Sequence, residues 1–144
     1  MKEDAGLPLQ FAKFVAVGVL NTGVGLACIF AAKALLGWGD LAANVGGYGV
    51  GLITSFALNR AWTFRDRGRI SPALARFLGA FVMAYLANLA TVFGLRDLAG
   101  VDSYVAQAAG VVPYTALFFL ASRAFVFLDR RNANPPAPAG PSAR

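Results

Sequence analysis

Two arginines stand where their type and spacing could do chemistry. Arg60 lies in Asn59-Arg60-Ala61-Trp62-Thr63-Phe64, and Arg123 in Ser122-Arg123-Ala124-Phe125-Val126-Phe127, 63 residues further on. Each copy reads small polar residue, arginine, alanine, aromatic, spacer, phenylalanine. Each closes a long apolar run and faces a basic flank: Arg65, Arg67 and Arg69 after the first, Arg130 and Arg131 after the second. A guanidinium offers paired donors matched to phosphate oxygens, so Arg60 and Arg123, with Asn59, could hold a lipid phosphate. The same arginines could instead snorkel to water as plain anchors, with Trp62, Phe64, Phe125 and Phe127 as an aromatic collar at headgroup level. The residue types leave both roles open. The repeat predicts that the two positions behave alike.

Other reactive sets are missing. The chain has no histidine and one cysteine, which excludes an internal disulfide and a Cys/His zinc site. Cys28 lies deep in an apolar run and reads as a small buried hydrophobe. No carboxylate lies inside an apolar run: Asp40, Asp97 and Asp102 fall in short turns, and Glu3, Asp4, Asp66 and Asp129 in basic segments. Paired carboxylates, a nucleotide loop and a nucleophile–base pair are all absent, so the sequence predicts no enzyme, no metal and no cofactor. A proton-coupled exporter wants an ionisable group at membrane depth, which argues against a small multidrug-type antiporter.

The elements that carry the arginines follow from hydropathy. Of 144 residues 58% are hydrophobic and only 14% charged, with mean hydropathy +0.59. Soluble domains carry about a quarter charged residues, so the chain is expected to be an all-α integral membrane protein with four transmembrane helices. The expected spans are about 11–36, 41–58, 77–95 and 104–122 within a membrane domain of residues 11–128. A polar start (1–10) precedes it, and a Pro/Ala-rich tail (129–144), expected to be disordered, follows. Ser71-Pro72 reads as an N-cap and first helical residue for span 3. Pro113 predicts a kink or a freed Ala109 carbonyl in span 4.

Charge sets the orientation. Eleven of the 13 Lys/Arg lie in the amino terminus, central loop and carboxyl tail, leaving only Lys33 and Arg96 in the two short turns. Both termini and the central loop are therefore expected in the cytoplasm, and the two hairpins form a parallel repeat in the cytoplasmic (inner) membrane. The net charge of +6 follows from this distribution without a polyanionic partner, so nucleic acid is not expected. Asn21 and Asn88 lie deep in spans 1 and 3, with Asn44 and Gln107 near the outer ends of spans 2 and 4. They could bond between helices or line a polar path. Ala43, Gly47, Gly51 and Ser55 form a small-residue stripe in span 2, suited to close helix packing. Four short helices barely enclose a polar head, so a homodimer is expected.

The combination of Phe11-Ala12-Lys13-Phe14-Val15-Ala16-Val17-Gly18-Val19-Leu20-Asn21-Thr22, Phe56-Ala57-Leu58-Asn59-Arg60-Ala61-Trp62-Thr63-Phe64, Arg76-Phe77 and Arg123-Ala124-Phe125-Val126-Phe127 resembles the GtrA-like family of four-span membrane proteins. The likeness covers about residues 11–128. It implies a role in cell-surface polysaccharide synthesis: translocation of a polyprenyl-phosphate-linked sugar across the cytoplasmic membrane, or anchoring of a membrane glycosyltransferase that uses it. The Pro/Ala-rich tail and the glycine-rich second span depart from the family pattern.

Overall fold

The computed structural model describes residues 6–127; the expected tail and the first five residues lie outside them. The described residues are helical with no strands. The helices are α1 (Leu7–Leu36), α2 (Asp40–Leu58), α3 (Ile70–Phe93) and α4 (Ser103–Ala121). Each of α2, α3 and α4 runs on into a π-helical turn, Asn59–Thr63, Gly94–Leu98 and Ser122–Val126. All four helices are long and apolar enough to cross a bilayer, for which about 20 residues suffice.

Local chemistry explains where they begin and end. Gly37 closes α1 in the left-handed region (φ 65°), which glycine enters without a Cβ clash, and the Trp38 N–H reaches back to the Ala32 carbonyl at 3.2 Å. Across the turn Lys33 pairs with Asp40, joining the last turn of α1 to the first of α2. Asp102 caps α4, its carboxylate accepting from the Tyr104 N–H at 2.9 Å and the Val105 N–H at 3.3 Å. Ser71 does not cap α3. The helix starts at Ile70 with Arg69 as its N-cap, and Ser71 and Pro72 fall inside the first turn. Proline is tolerated there because the first four N–H groups have no helical acceptor anyway. α4 continues through Pro113 as one helix.

The packing is that of two hairpins, α1 against α2 and α3 against α4, which meet mainly at one end. The contact between them is a phenylalanine cluster. Phe14 of α1 packs on Phe118 and Phe119 of α4 at 5.4 and 5.5 Å between ring centres, and Phe56 of α2 on Phe77 of α3 at 5.3 Å. The starts of α1 and α3 and the ends of α2 and α4 thus gather at one end, which also carries the arginine copies. We call it the basic end. Lipid tails are as apolar as these rings, so the cluster is held by dispersion and ring geometry rather than by escape from water.

The stripe on α2 faces α1. Ala43, Gly47, Gly51 and Ser55 are all buried. A Cβ at Gly47 would lie 2.8 Å from the Gly25 carbonyl oxygen, so only glycine allows the backbones this close. The deep asparagines use the same device. A Cβ at Gly51 would sit 2.6 Å from Asn21 Oδ1, and one at Gly110 would sit 2.7 Å from Asn88 Nδ2. Each asparagine is received by a glycine of its own hairpin.

Candidate functional site

Both arginine copies fold into the same π-helical turn. The Phe64 N–H bonds the Asn59 carbonyl at 2.8 Å, and the Phe127 N–H bonds the Ser122 carbonyl at 2.9 Å. The turn sorts the aromatics, because residues two apart on a helix differ by roughly 200° and lie on nearly opposite faces. Trp62 and Phe125 are exposed, and Lys13 Nζ sits 5.4 Å from the Trp62 ring centre. Phe64 and Phe127 do not belong to the expected collar. They turn inward and stack on each other at 5.0 Å and 19°, with Phe127 buried in the cluster. Equivalent residues of the two copies thus meet at the join between the hairpins.

The two arginines have different surroundings. Arg60 is mostly buried (side chain 16% exposed) and turns toward the following loop. It donates to the Gly68 carbonyl and lies 3.8 Å from Asp66, while the Asp66 N–H bonds the Arg60 carbonyl at 2.9 Å. The loop reaches this arrangement through Arg65 at φ 51°, a left-handed conformation that non-glycine residues adopt at a cost. One nitrogen, Nη1, has no acceptor among the described residues. Arg123 is exposed. It lines a groove of about 570 Å³ whose other walls are apolar, including Leu7, Met83, Leu117, Leu120 and Phe125. Arg76, not singled out from the sequence as a site residue, donates to the Phe125 carbonyl at 2.9 Å and braces the second π-helical turn.

A second space lies between the hairpins. This cavity of about 530 Å³ is walled by α1, α2 and α4, with Phe81 of α3 contributing. Asn21, Thr22, Ser55 and Asn59 give it polar groups, and Tyr48, Tyr114 and Phe118 give it aromatic ones. Asn59 is 1% exposed. Its Nδ2 donates to Ser55 Oγ at 3.3 Å, while its Oδ1 has no partner among the described residues. Asn21 Oδ1 is also buried and unpartnered, as are Thr63 Oγ1 and Ser122 Oγ nearer the basic end. Unpaired acceptors at membrane depth are costly and need a donor.

The four residues expected to form one polar path are not assembled. Only Asn21 lines the cavity. Asn88 is directed at Gly110 inside the other hairpin. Asn44 is spent within its own helix, donating to the Asp40 carbonyl at 2.7 Å, and Gln107 is exposed on α4. Asn59, grouped with the arginines in the sequence, belongs to the cavity instead. It follows Ser55 by one turn on the buried face of α2, whereas Arg60 is rotated about 100° away. Tyr48 and Tyr114 carried no sequence signal beyond being polar-tipped residues in apolar runs, while Thr22 stood out only as the end of the Phe11–Thr22 motif. No His/Cys/Asp/Glu group that could hold a metal occurs among the described residues.

Among the described residues, four apolar helices in two hairpins, with the charged side chains toward their ends and in the turns, define a multi-pass membrane protein. A family model described as GtrA/DPMS, transmembrane domain, matches residues 13–127, and the chain belongs to this family. Membership associates it with the handling of lipid-linked sugars, in a family of generally non-catalytic transmembrane proteins. No curated protein matches the chain.

Proposed function

We propose that the protein binds a polyprenyl-phosphate-linked sugar and moves its head across the cytoplasmic membrane for cell-surface polysaccharide synthesis. The observation that carries this reading is the groove beneath Arg123. An exposed guanidinium over a long apolar wall suits a phosphate whose isoprenoid tail stays in lipid. Arg60, engaged with Asp66 and Gly68, serves the loop more than the ligand in this reading. Membership in the GtrA/DPMS family supports the substrate class.

Reconstitution tests it. Liposomes containing a polyprenyl-phosphate glucose are treated with an impermeant oxidant, and the protected fraction is measured. Without protein roughly half the lipid, the inner leaflet, stays protected; with protein the protected half is expected to become accessible. Unchanged protection, in a protein that still co-purifies with a membrane glycosyltransferase, would leave the role of anchor. The reading also puts the basic end in the cytoplasm, since positive residues are retained there. Single-cysteine variants in a Cys28→Ser background check this: Gly68→Cys should resist an impermeant thiol reagent in intact cells, and Asp97→Cys should react. The reverse pattern would overturn the orientation.

A further inference from the structure

The repeat that pairs the two arginines extends to the starts of α1 and α3. The 63 residues between Arg60 and Arg123 also separate Lys13 from Arg76, Phe14 from Phe77 and Trp62 from Phe125. The structure keeps these correspondences. Lys13 of α1 lies over the Trp62 ring, and Arg76 of α3 reaches Phe125, so each cation meets the aromatic residue at the end of its own hairpin. What it meets there differs. Lys13 Nζ is 5.4 Å from a ring centre, a contact that does not hold the backbone, whereas Arg76 Nη1 donates at 2.9 Å to the carbonyl of Phe125. A carbonyl in the closing turn of a helix needs a donor from elsewhere, and an arginine supplies one well.

The two repeat arginines differ to match. In the first copy Arg60 is engaged with its own loop, at the Gly68 carbonyl and Asp66. In the second, the turn is braced from α3, and Arg123 is left to the groove. Arg123, Ala124 and Phe125 all line that groove, so a bond to the Phe125 carbonyl fixes both the root of the guanidinium and the ring beside it. Arg76 itself does not line the groove. It lies against a small polar niche with Asp66, Arg69 and Val126, which shares no residue with the groove. Among the described residues it forms no ion pair, which leaves the bond to Phe125 as the contact through which it acts.

We infer that Arg76 is a positioning residue for phosphate capture: it holds the turn Ser122–Val126 so that Arg123 stands over the groove with its two parallel donors free. The inference rests on the proposal that Arg123 holds a lipid phosphate. Two parallel bonds tolerate only a narrow range of guanidinium orientations. Losing the brace therefore costs affinity without removing the charge that binds.

The test measures binding of farnesyl phosphate, which carries no sugar, to the full chain in phosphatidylcholine nanodiscs, with farnesol as the phosphate-free control. Arg76→Met keeps an unbranched stem but has no donor for the Phe125 carbonyl. Affinity is expected to fall about fivefold at normal membrane abundance. Arg76→Lys, which can still donate one bond, should recover most of it. The decisive comparison is a double-mutant cycle. A residue that acts only through Arg123 matters only while the fork is there, so adding Arg76→Met to Arg123→Lys should weaken binding no further. The same loss in both backgrounds would mean that Arg76 attracts the phosphate by its own charge, and would overturn the positioning role. Unchanged affinity in Arg76→Met would overturn it as well. Should that variant not accumulate, Arg76→Gln, whose shorter side chain stops short of the carbonyl, gives the same comparison. If wild-type binding depends on Arg123 but not on Arg76, only this inference falls. If farnesyl phosphate binds no better than farnesol, or binds regardless of Arg123, the proposed phosphate role of Arg123 falls and this inference with it.

Discussion

Gly47→Leu is expected to remove most of the folded protein from the membrane. Gly47 is buried where α1 and α2 come closest, and even a Cβ would lie 2.8 Å from the Gly25 carbonyl oxygen and collide with Ile29. Ile29 has rotamers to escape into. The carbonyl belongs to a continuous helix and does not. Leucine must therefore separate the two backbones, and the glycine pairings one turn away separate with them, including the fit of Asn21 against Gly51. Overpacking a core costs about 1–3 kcal/mol when side chains can adjust. Here backbone must move, so about 3 kcal/mol or more is expected, enough to lower the folded fraction of a marginal protein more than tenfold. Gly47→Ala should fall between. Val50→Leu, on an exposed position of the same helix, is the control. Membrane abundance and thermal unfolding in detergent give the readout. If Gly47→Leu accumulates and melts like Val50→Leu, the close approach contributes nothing to stability.

The small-residue stripe was legible because its repeat lies within one helix: residues four apart share a face, whatever that face meets. What it meets was not legible. The pairing of Asn21 with Gly51 and of Asn88 with Gly110 depends on the register between helices, and no single-helix pattern carries that. For the same reason Asn21 and Asn88 looked equivalent by depth, as did Asn44 and Gln107, yet of the four only Asn21 lines the cavity. The phenylalanines were misread for another reason. In a bilayer a ring facing lipid and a ring facing protein have the same polarity, so hydropathy cannot separate Phe125, 65% exposed, from Phe127, 4% exposed. The helical turn separates them, through the angle between positions two apart. The four spans themselves were plain, since about 20 apolar residues bounded by charge admit few other structures.

The arginine copies mark the limit of reading by repeat, and they carry the last prediction. Their local sequences and π-helical turns are alike, which led to the expectation of equal roles. At Arg60 the surroundings are set by the loop after the first copy. After Phe64 a short loop folds back, bringing the Gly68 carbonyl and Asp66 onto Arg60, whereas Arg123 opens onto an apolar groove. Lysine keeps the charge at either site but loses the planar fork. At Arg60 it can keep the weak pairing with Asp66 but not the bond to Gly68 as well, so the expected effect is on the loop: a modest loss of abundance, of about 1 kcal/mol. Activity per molecule should be preserved. At Arg123 the surroundings are exposed and lysine snorkels equally well, so abundance should stay normal. If the guanidinium holds phosphate through two parallel donors, however, translocation of polyprenyl-phosphate glucose should fall about tenfold or more. Arg65→Lys, on the exposed loop, should change neither. The measurement is the liposome assay normalised to reconstituted protein, with membrane abundance followed alongside. Full activity of Arg123→Lys at normal abundance would reduce that arginine to an anchor. Equal loss of specific activity in both lysine variants would return the two copies to a common role at the phosphate.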